Sequence, residues 1–211
     1  MVKRHIAPIR QGRSLQRRQG RRAAEPVVLV ACEGDTERAY FEAVRAALRL
    51  RTVDIPGEAV GHDPLGLVDY ARGRHRHSGG YDHIICAFDR DTHARFGAAR
   101  EKIRKLTVEG KLPIIEAVTI PAFEFWILLH FERTTAPFGN ADAVIARLKN
   151  ANHIPDYEKA DAALCRELAE RMENAIANAV WLNEEAKKDG FANPFTNMHL
   201  ALELLKKLAS A

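Results

Sequence analysis

Three acidic residues in the N-terminal half of the chain come directly after short runs of apolar residues. Glu33 follows residues 27–32, and Asp89 and Asp91 follow residues 84–88. Both runs are continuously apolar, which is typical of strands buried on both faces of a parallel sheet. Because ligands bind at the carboxyl ends of such strands, we expect the three carboxylates to lie together if the two strands are neighbours.

Clustered carboxylates repel one another, and a cation allows all of them to stay ionised. Oxygen ligands favour Mg²⁺ or Mn²⁺, which recruit substrate phosphates as further ligands. We therefore predict that Glu33, Asp89 and Asp91 are metal ligands. Glu37, one helical turn after Glu33, is either a further ligand or a residue that stabilises the start of its helix. The structural alternative is that the aspartates cap the next helix and Glu33 the first one.

A second interpretation of the aspartate pair is a phosphatase nucleophile. Asp89-Arg90-Asp91-Thr92 resembles the D-x-D-x-T motif of haloacid-dehalogenase-type phosphatases. His93 stands two positions after Asp91, where that motif has its threonine, and the motif follows a late strand instead of the first. This interpretation also leaves Glu33 unexplained, so we prefer the metal site.

The elements that would position these residues alternate between strand and helix. Predicted strands occupy residues 27–32, about 52–60, 84–88 and 112–119. The helices between them begin after Glu33-Gly34, at Asp63-Pro64 and at about residue 94. Beyond Pro121 the pattern predicts only helices, at residues 123–131, 141–149, about 160–187 and 197–208.

This pattern favours a doubly wound α/β domain with a mostly parallel sheet over residues 26–132. Residues 133–211 form a helical extension that we expect to pack on it. The chain has 211 residues, enough for one core with extensions.

Residues 1–25 contain a basic segment that we expect to be an arm outside the core. Residues 1–22 include eight lysines and arginines and no Asp or Glu. Because their eight positive charges exceed the net charge of +4 of the whole chain, the rest of the chain is net negative. Arginine pairs two phosphate oxygens at once, so nucleic acid is the predicted partner. The candidate contact residues are Arg10, Arg13, Arg17, Arg18, Arg21 and Arg22. A merely solubilising tail and an acidic protein partner are the alternatives.

The composition is that of an ordinary globular protein, with 46% hydrophobic and 28% charged residues. No apolar run approaches the roughly 18 residues that a membrane-spanning helix needs, and no apolar segment follows the basic start as it does in a secretory signal. We therefore expect a cytoplasmic protein without a membrane partner. A homo-oligomer is compatible with the sequence.

Several motifs together resemble one family. The aromatic pair Tyr40-Phe41 and a segment from Pro121 to Phe131 belong to them. The motifs are E-G-x-x-E at Glu33–Glu37, D-x-D at Asp89–Asp91, P-x-F-E-x-W with a later H-F at Pro121–Phe131, Tyr-x-Lys at Tyr157–Lys159 and Asn-Pro-x-Thr at Asn193–Thr196. They resemble the RloB family, which consists of small Toprim-like proteins associated with phage defence and restriction loci. Toprim domains occur in primases, topoisomerases and OLD-type nucleases.

The resemblance implies a Toprim-like fold and a Mg²⁺- or Mn²⁺-dependent nuclease that cleaves DNA or RNA in anti-phage defence, with an ATPase as a partner protein. Glu33, Asp89, Asp91, Glu124 and Lys159 would be catalytic, with Glu33 as general base or acid. A non-catalytic nucleic-acid-binding or sensor subunit is the alternative, because one fold hosts several activities.

Two of these residues have structural alternatives. Glu124 lies in an otherwise apolar segment, where an unpaired carboxylate is costly. It is either paired in the core or a fourth acidic group of the site, and we favour the site. Lys159 either neutralises phosphate charge or is solvated. His130 is a hydrogen-bonded core residue or a catalytic one, and Thr196 is predicted to cap the last helix.

Overall fold

The computed structural model describes residues 25–90, 93–109, 112–190 and 192–211. Its five strands are β1 (Val28–Cys32), β2 (Val53–Asp54), β3 (His83–Asp89), β4 (Ile114–Ile120) and β5 (Phe195–Thr196). They form one sheet in the order β2-β1-β3-β4-β5, in which β1 to β4 are parallel and β5 is antiparallel to β4. The predicted α/β class with a mostly parallel sheet is confirmed.

The helices lie between and after these strands. They are α1 (Asp35–Ala47), α2 (Pro64–His77), α3 (Phe96–Val108), α4 (Glu124–Leu128), α5 (Ala141–Asn150), α6 (Ala162–Glu170), α7 (Met172–Asp189) and α8 (Met198–Ala209). The start of α2 is as predicted: the Asp63 carboxylate accepts a hydrogen bond from the Gly66 N–H at 3.0 Å, and Pro64 is the first helical residue. Pro64 fits there because the first helical N–H has no partner within the helix.

Two hydrophobic cores cover the two faces of the sheet. Along β1, Val28, Val30 and Cys32 contribute to one core, whereas Leu29 and Ala31 contribute to the other. The first core includes residues of α1 and of α4–α8, and the second includes residues of α2 and α3. This burial on both faces explains why the strand sequence is continuously apolar.

The C-terminal helices share the first core with the sheet, since buried residues of α5 to α8 belong to it. The boundary between residues 132 and 133 remains a prediction, and residues 1–24 lie outside the described part of the chain. Among the described helices, none has the length and apolarity needed to cross a membrane.

Two predicted elements were too long. The strand expected at 52–60 is limited to Val53–Asp54, and a 3₁₀ turn at Gly57–Ala59 replaces the rest, because the proline and glycine at 56 and 57 interrupt strand pairing. The helix expected at 160–187 is two helices that meet at Arg171, whose N–H bonds the Leu168 carbonyl three residues back.

The predictions around α4 and α8 were also wrong in detail. Helix α4 ends at Leu128, and the chain continues in tight turns in which the His130 and Phe131 N–H groups bond carbonyls three residues back. Thr196 belongs to β5, and Asn197 occupies the N-cap position of α8 that was predicted for Thr196. Its hydroxyl donates to the Val118 carbonyl at 2.9 Å and accepts from the Met198 N–H at 3.2 Å, so it joins the strand to the helix.

Candidate metal centre

The carboxyl ends of β1 and β3 meet at the centre of the sheet. The two strands are parallel neighbours, and Cys32 is in register with Ala87. The Glu33 N–H donates to the Ala87 carbonyl at 3.0 Å, which places Glu33 at the end of β1 beside Asp89, the last residue of β3. From β1 the chain first runs outward to β2 and then returns to β3 on the other side. This reversal of strand order forms the crevice in which α/β proteins bind ligands.

Three side chains at this crevice present a possible set of metal ligands. One ligand atom from each of Glu33, Asp89 and His93 lies within 4.8 Å of the others, and all three residues are partly buried. His93 Nε2 lies 2.7 Å from Glu33 Oε1. A turn in which the His93 N–H donates to the Arg90 carbonyl at 3.0 Å places the imidazole there.

His93 was not predicted as a site residue, and its type entered only as a departure from the phosphatase motif. Its position four residues after Asp89, in a loop, follows no helical or strand period. The available signal was a D-x-D-x-H spacing after a buried strand, which puts two carboxylates and an imidazole on one loop.

The surrounding cavity contains further predicted residues. It has a volume of about 420 Å³, and its charged or titratable lining residues are Glu33, Asp35, Glu37, Asp89, His93, Glu124 and Lys159. Glu37 is in the first turn of α1 and only 5% exposed. A Cβ atom at Gly34 would come within 2.6 Å of Glu37 Oε2, so the glycine makes room for this carboxylate.

Glu124 is buried in an ion pair and also lines the cavity. It is 3% exposed, and its Oε1 lies 3.0 Å from Lys159 Nζ and accepts a hydrogen bond from the Tyr157 hydroxyl at 3.3 Å. It also lines the cavity beside Asp89, whose carboxylate accepts from the Phe123 N–H at 3.3 Å. The ion pair explains how a carboxylate is tolerated in an apolar segment.

Comparison with known proteins identifies the family. The family model described as RloB-like protein matches residues 28–205. The chain belongs to the RloB-like protein family. Searches of curated proteins and of solved structures found no match. The matched range contains the whole cavity of this RloB-like chain and begins after the basic residues 1–22.

The electrostatics of the RloB-like site favour a cation. Burial, together with the negative charges of Asp89, Glu33 and Glu124, raises the pKa of Glu37 to about 8. The carboxyl therefore keeps a proton at neutral pH, because another negative charge in this cluster is too costly. Lys159, 60% exposed, is the one lysine or arginine in the described lining of the cavity.

The remaining candidate residues from the sequence do not line the cavity or are not described by the structure. Asp91 and the six arginines from Arg10 to Arg22 lie outside the described residues, so their roles remain predictions. His130 belongs to the core: it is 3% exposed, and its Nδ1 bonds the Trp126 carbonyl at 3.0 Å while Nε2 lies 3.1 Å from the Tyr40 hydroxyl. Because a carbonyl only accepts, Nδ1 carries the proton and Nε2 accepts from the tyrosine.

Proposed function

We propose that this RloB-like chain is a metal-dependent nuclease that cleaves phosphodiester bonds in DNA or RNA. The observation that carries the proposal is the convergence of Glu33, Asp89 and His93 at the reversal of strand order. A Toprim-like site and a role in defence against phage are part of the proposal, as are a cytoplasmic location and an ATPase partner. The support for these parts is family membership and the motif pattern.

The donor set fits a divalent cation. It offers two carboxylate oxygens and one imidazole nitrogen, with the Glu37 carboxylate in the same cavity. Carboxylates suit Mg²⁺ and Mn²⁺, whereas an imidazole is a better ligand for Mn²⁺ than for Mg²⁺. We therefore favour Mn²⁺, with Asp91 as a further candidate ligand on the same loop.

A bound cation would supply Lewis acidity and charge neutralisation at the phosphate. The chain's own groups would handle the protons. Glu33 would accept the proton of an attacking water with a carboxylate oxygen that does not bind the cation. His93, whose Nε2 lies 2.7 Å from Glu33 Oε1 in the metal-free chain, would leave this hydrogen bond to act as a ligand. The exposed Lys159 ammonium would balance part of the charge on a phosphate that enters the cavity. The backbone N–H groups at the start of α1, which Gly34 leaves uncapped, are suited to a phosphate oxygen.

The basic residues 1–22 are proposed to bind the phosphate backbone without regard to sequence. Deleting them should flatten the dependence of log K on log salt by about 0.9 for each duplex phosphate that they neutralise. Fluorescence anisotropy with labelled duplex DNA and RNA at several salt concentrations measures this slope. An unchanged slope would contradict the assignment and favour an acidic protein partner or a solubilising tail.

Metal-dependent cleavage tests the proposed function. The purified protein, alone and with a co-expressed ATPase, would be titrated with Mn²⁺ or Mg²⁺ on single-stranded and duplex DNA and on structured RNA. We expect cleavage that EDTA stops and that Asp89→Asn abolishes, whereas Asp142→Asn, an exposed change in α5, leaves it intact. Binding without cleavage under every condition would contradict the nuclease proposal and favour a non-catalytic nucleic-acid-binding or sensor subunit.

A further inference from the structure

A basic groove lies between α2 and α3, on the opposite face of the sheet from α1. Its volume is about 580 Å³, and Leu106 and Leu112 are its apolar lining residues. Its cationic lining residues are Arg72, Arg76, Lys102 and Lys105, and Glu109 is the one carboxylate of its described lining. It has no lining residue in common with the cavity of the candidate metal centre, so the two sites are separate.

Two of the four cationic side chains of the groove are neutralised by ion pairs within the described protein, and two are not. Lys102 bridges the two helices through Asp69 at 2.5 Å, and Lys105 lies 3.5 Å from Glu101. Arg72 and Arg76 have no ion pair with any described residue, and they are one turn apart on the same side of α2. A cation near a helix C-terminus stabilises the helix dipole only within the last turn, so this effect accounts for Arg76 and not for Arg72.

The groove is close to the first described residues of the chain, which begin at Glu25. His75, in its lining, accepts a hydrogen bond from the Tyr81 N–H at 3.1 Å. The adjacent Asp82 carboxylate accepts one from the Val27 N–H at 2.7 Å. The groove therefore lies toward the amino ends of β1 and β3, whereas the metal centre lies at their carboxyl ends.

We propose that the α2–α3 groove binds the phosphate backbone of a nucleic acid whose other end reaches the metal centre. The proposal rests on the proposed nuclease function. Strand β3 has seven residues and runs from the end of the sheet near the groove to the end that holds the metal centre. At roughly 3.3 Å per residue, these two ends of the sheet are separated by about 20 Å. This distance corresponds to about 6 base pairs of duplex at 3.4 Å each. Only longer substrates can contact both surfaces, so the groove selects for length.

The double variant Arg72→Gln/Arg76→Gln tests the groove. The control is the double variant Arg166→Gln/Lys207→Gln, which removes the same charge. Both residues are exposed on helices that cover the other face of the sheet. In EDTA, with a labelled duplex of about 24 base pairs, the groove variant should flatten the salt slope by up to about 1.8. At about 0.1 M salt its affinity should fall by as much as about 60-fold. The control should change neither, and Mn²⁺ affinity should be equal in all three proteins.

Cleavage adds a readout that damage to the fold would not give. In the groove variant, kcat/KM should fall for the duplex of about 24 base pairs and not for a hairpin of about 4 base pairs, which is too short to span the two surfaces. Equal loss on both substrates would overturn the proposal. So would an unchanged salt slope combined with weaker binding of a polyglutamate peptide, which would indicate an acidic protein partner. If the groove variant flattens the salt slope and the wild type never cleaves, the groove proposal is supported and the nuclease function is refuted. If the wild type cleaves with metal and the salt slope is unchanged in the groove variant, the nuclease function is supported and the groove proposal is refuted.

Discussion

Replacement of Lys159 by methionine would leave the Glu124 carboxylate buried without its cation. The charges are 3.0 Å apart, and their attraction is about 5.5 kcal/mol at an effective dielectric of 20 and about 1.4 kcal/mol in bulk water. Because the lysine side chain is 60% exposed, solvent screens the pair, and we expect the metal-free variant to lose about 1–3 kcal/mol of unfolding free energy.

Glu124→Gln should behave differently, although it breaks the same pair. The glutamine retains an oxygen that accepts from the Tyr157 hydroxyl, and the exposed Lys159 is then solvated at little cost. We expect a loss below about 1 kcal/mol for this variant. The double variant should be more stable than Lys159→Met alone, because it no longer contains the buried unpaired carboxylate.

Urea unfolding in EDTA of the wild type, the two single variants and the double variant gives the complete double-mutant cycle. Saturating Mn²⁺ should reduce the cost of Lys159→Met, since a cation in the same cavity offsets the lost lysine charge. The reasoning is refuted if Lys159→Met is as stable as the wild type without metal, or if the added Glu124→Gln change does not restore stability. A strong loss of cleavage in Glu124→Gln, with stability kept, would support its role in the site.

Three further changes test the neighbourhood of the site and the core. Gly34→Ala should push Glu37 aside and weaken Mn²⁺ binding about tenfold, equal to about 1.4 kcal/mol in calorimetry, whereas Gly73→Ala, with open space around it, should not. Because the pKa of Glu37 is raised to about 8, the metal-free protein should lose stability as pH rises from 4.5 to 8, and Glu37→Gln should remove this trend in urea unfolding. Burial lowers the pKa of His130 to about 4, so the protein should lose up to about 3 kcal/mol as pH falls from 6.5 to 4, and His130→Gln should flatten that loss.

The sequence predicted the parts of the fold that rest on long apolar runs and on helix caps. β1 and β3 were recognisable because both faces of each strand are buried, and Asp63-Pro64 marks the start of α2. β5 has two residues, too few for any periodicity, and its antiparallel pairing with β4 depends on contacts distant in sequence. The break at Arg171 has no proline or glycine beside it, so the sequence contains no local signal for it.

The candidate site was predictable where residue type and strand end coincide. Glu33 and Asp89 follow buried strands, and their proximity required only that the strands be neighbours. His93 depends on the path of a loop, which the sequence pattern does not encode. The pairing of Glu124 with Lys159 joins segments 35 residues apart, so the sequence indicated both residues as candidates without showing their contact.

Anomalous diffraction from a crystal soaked in Mn²⁺ tests the central claim most directly. The account predicts a peak at bonding distance, roughly 2.0–2.3 Å, from Glu33, Asp89 and His93. The same soak of Asp89→Asn should show a much weaker peak or none. A wild-type crystal without a peak at these residues, or with its strongest peak elsewhere on the protein, would contradict the assignment of the metal centre.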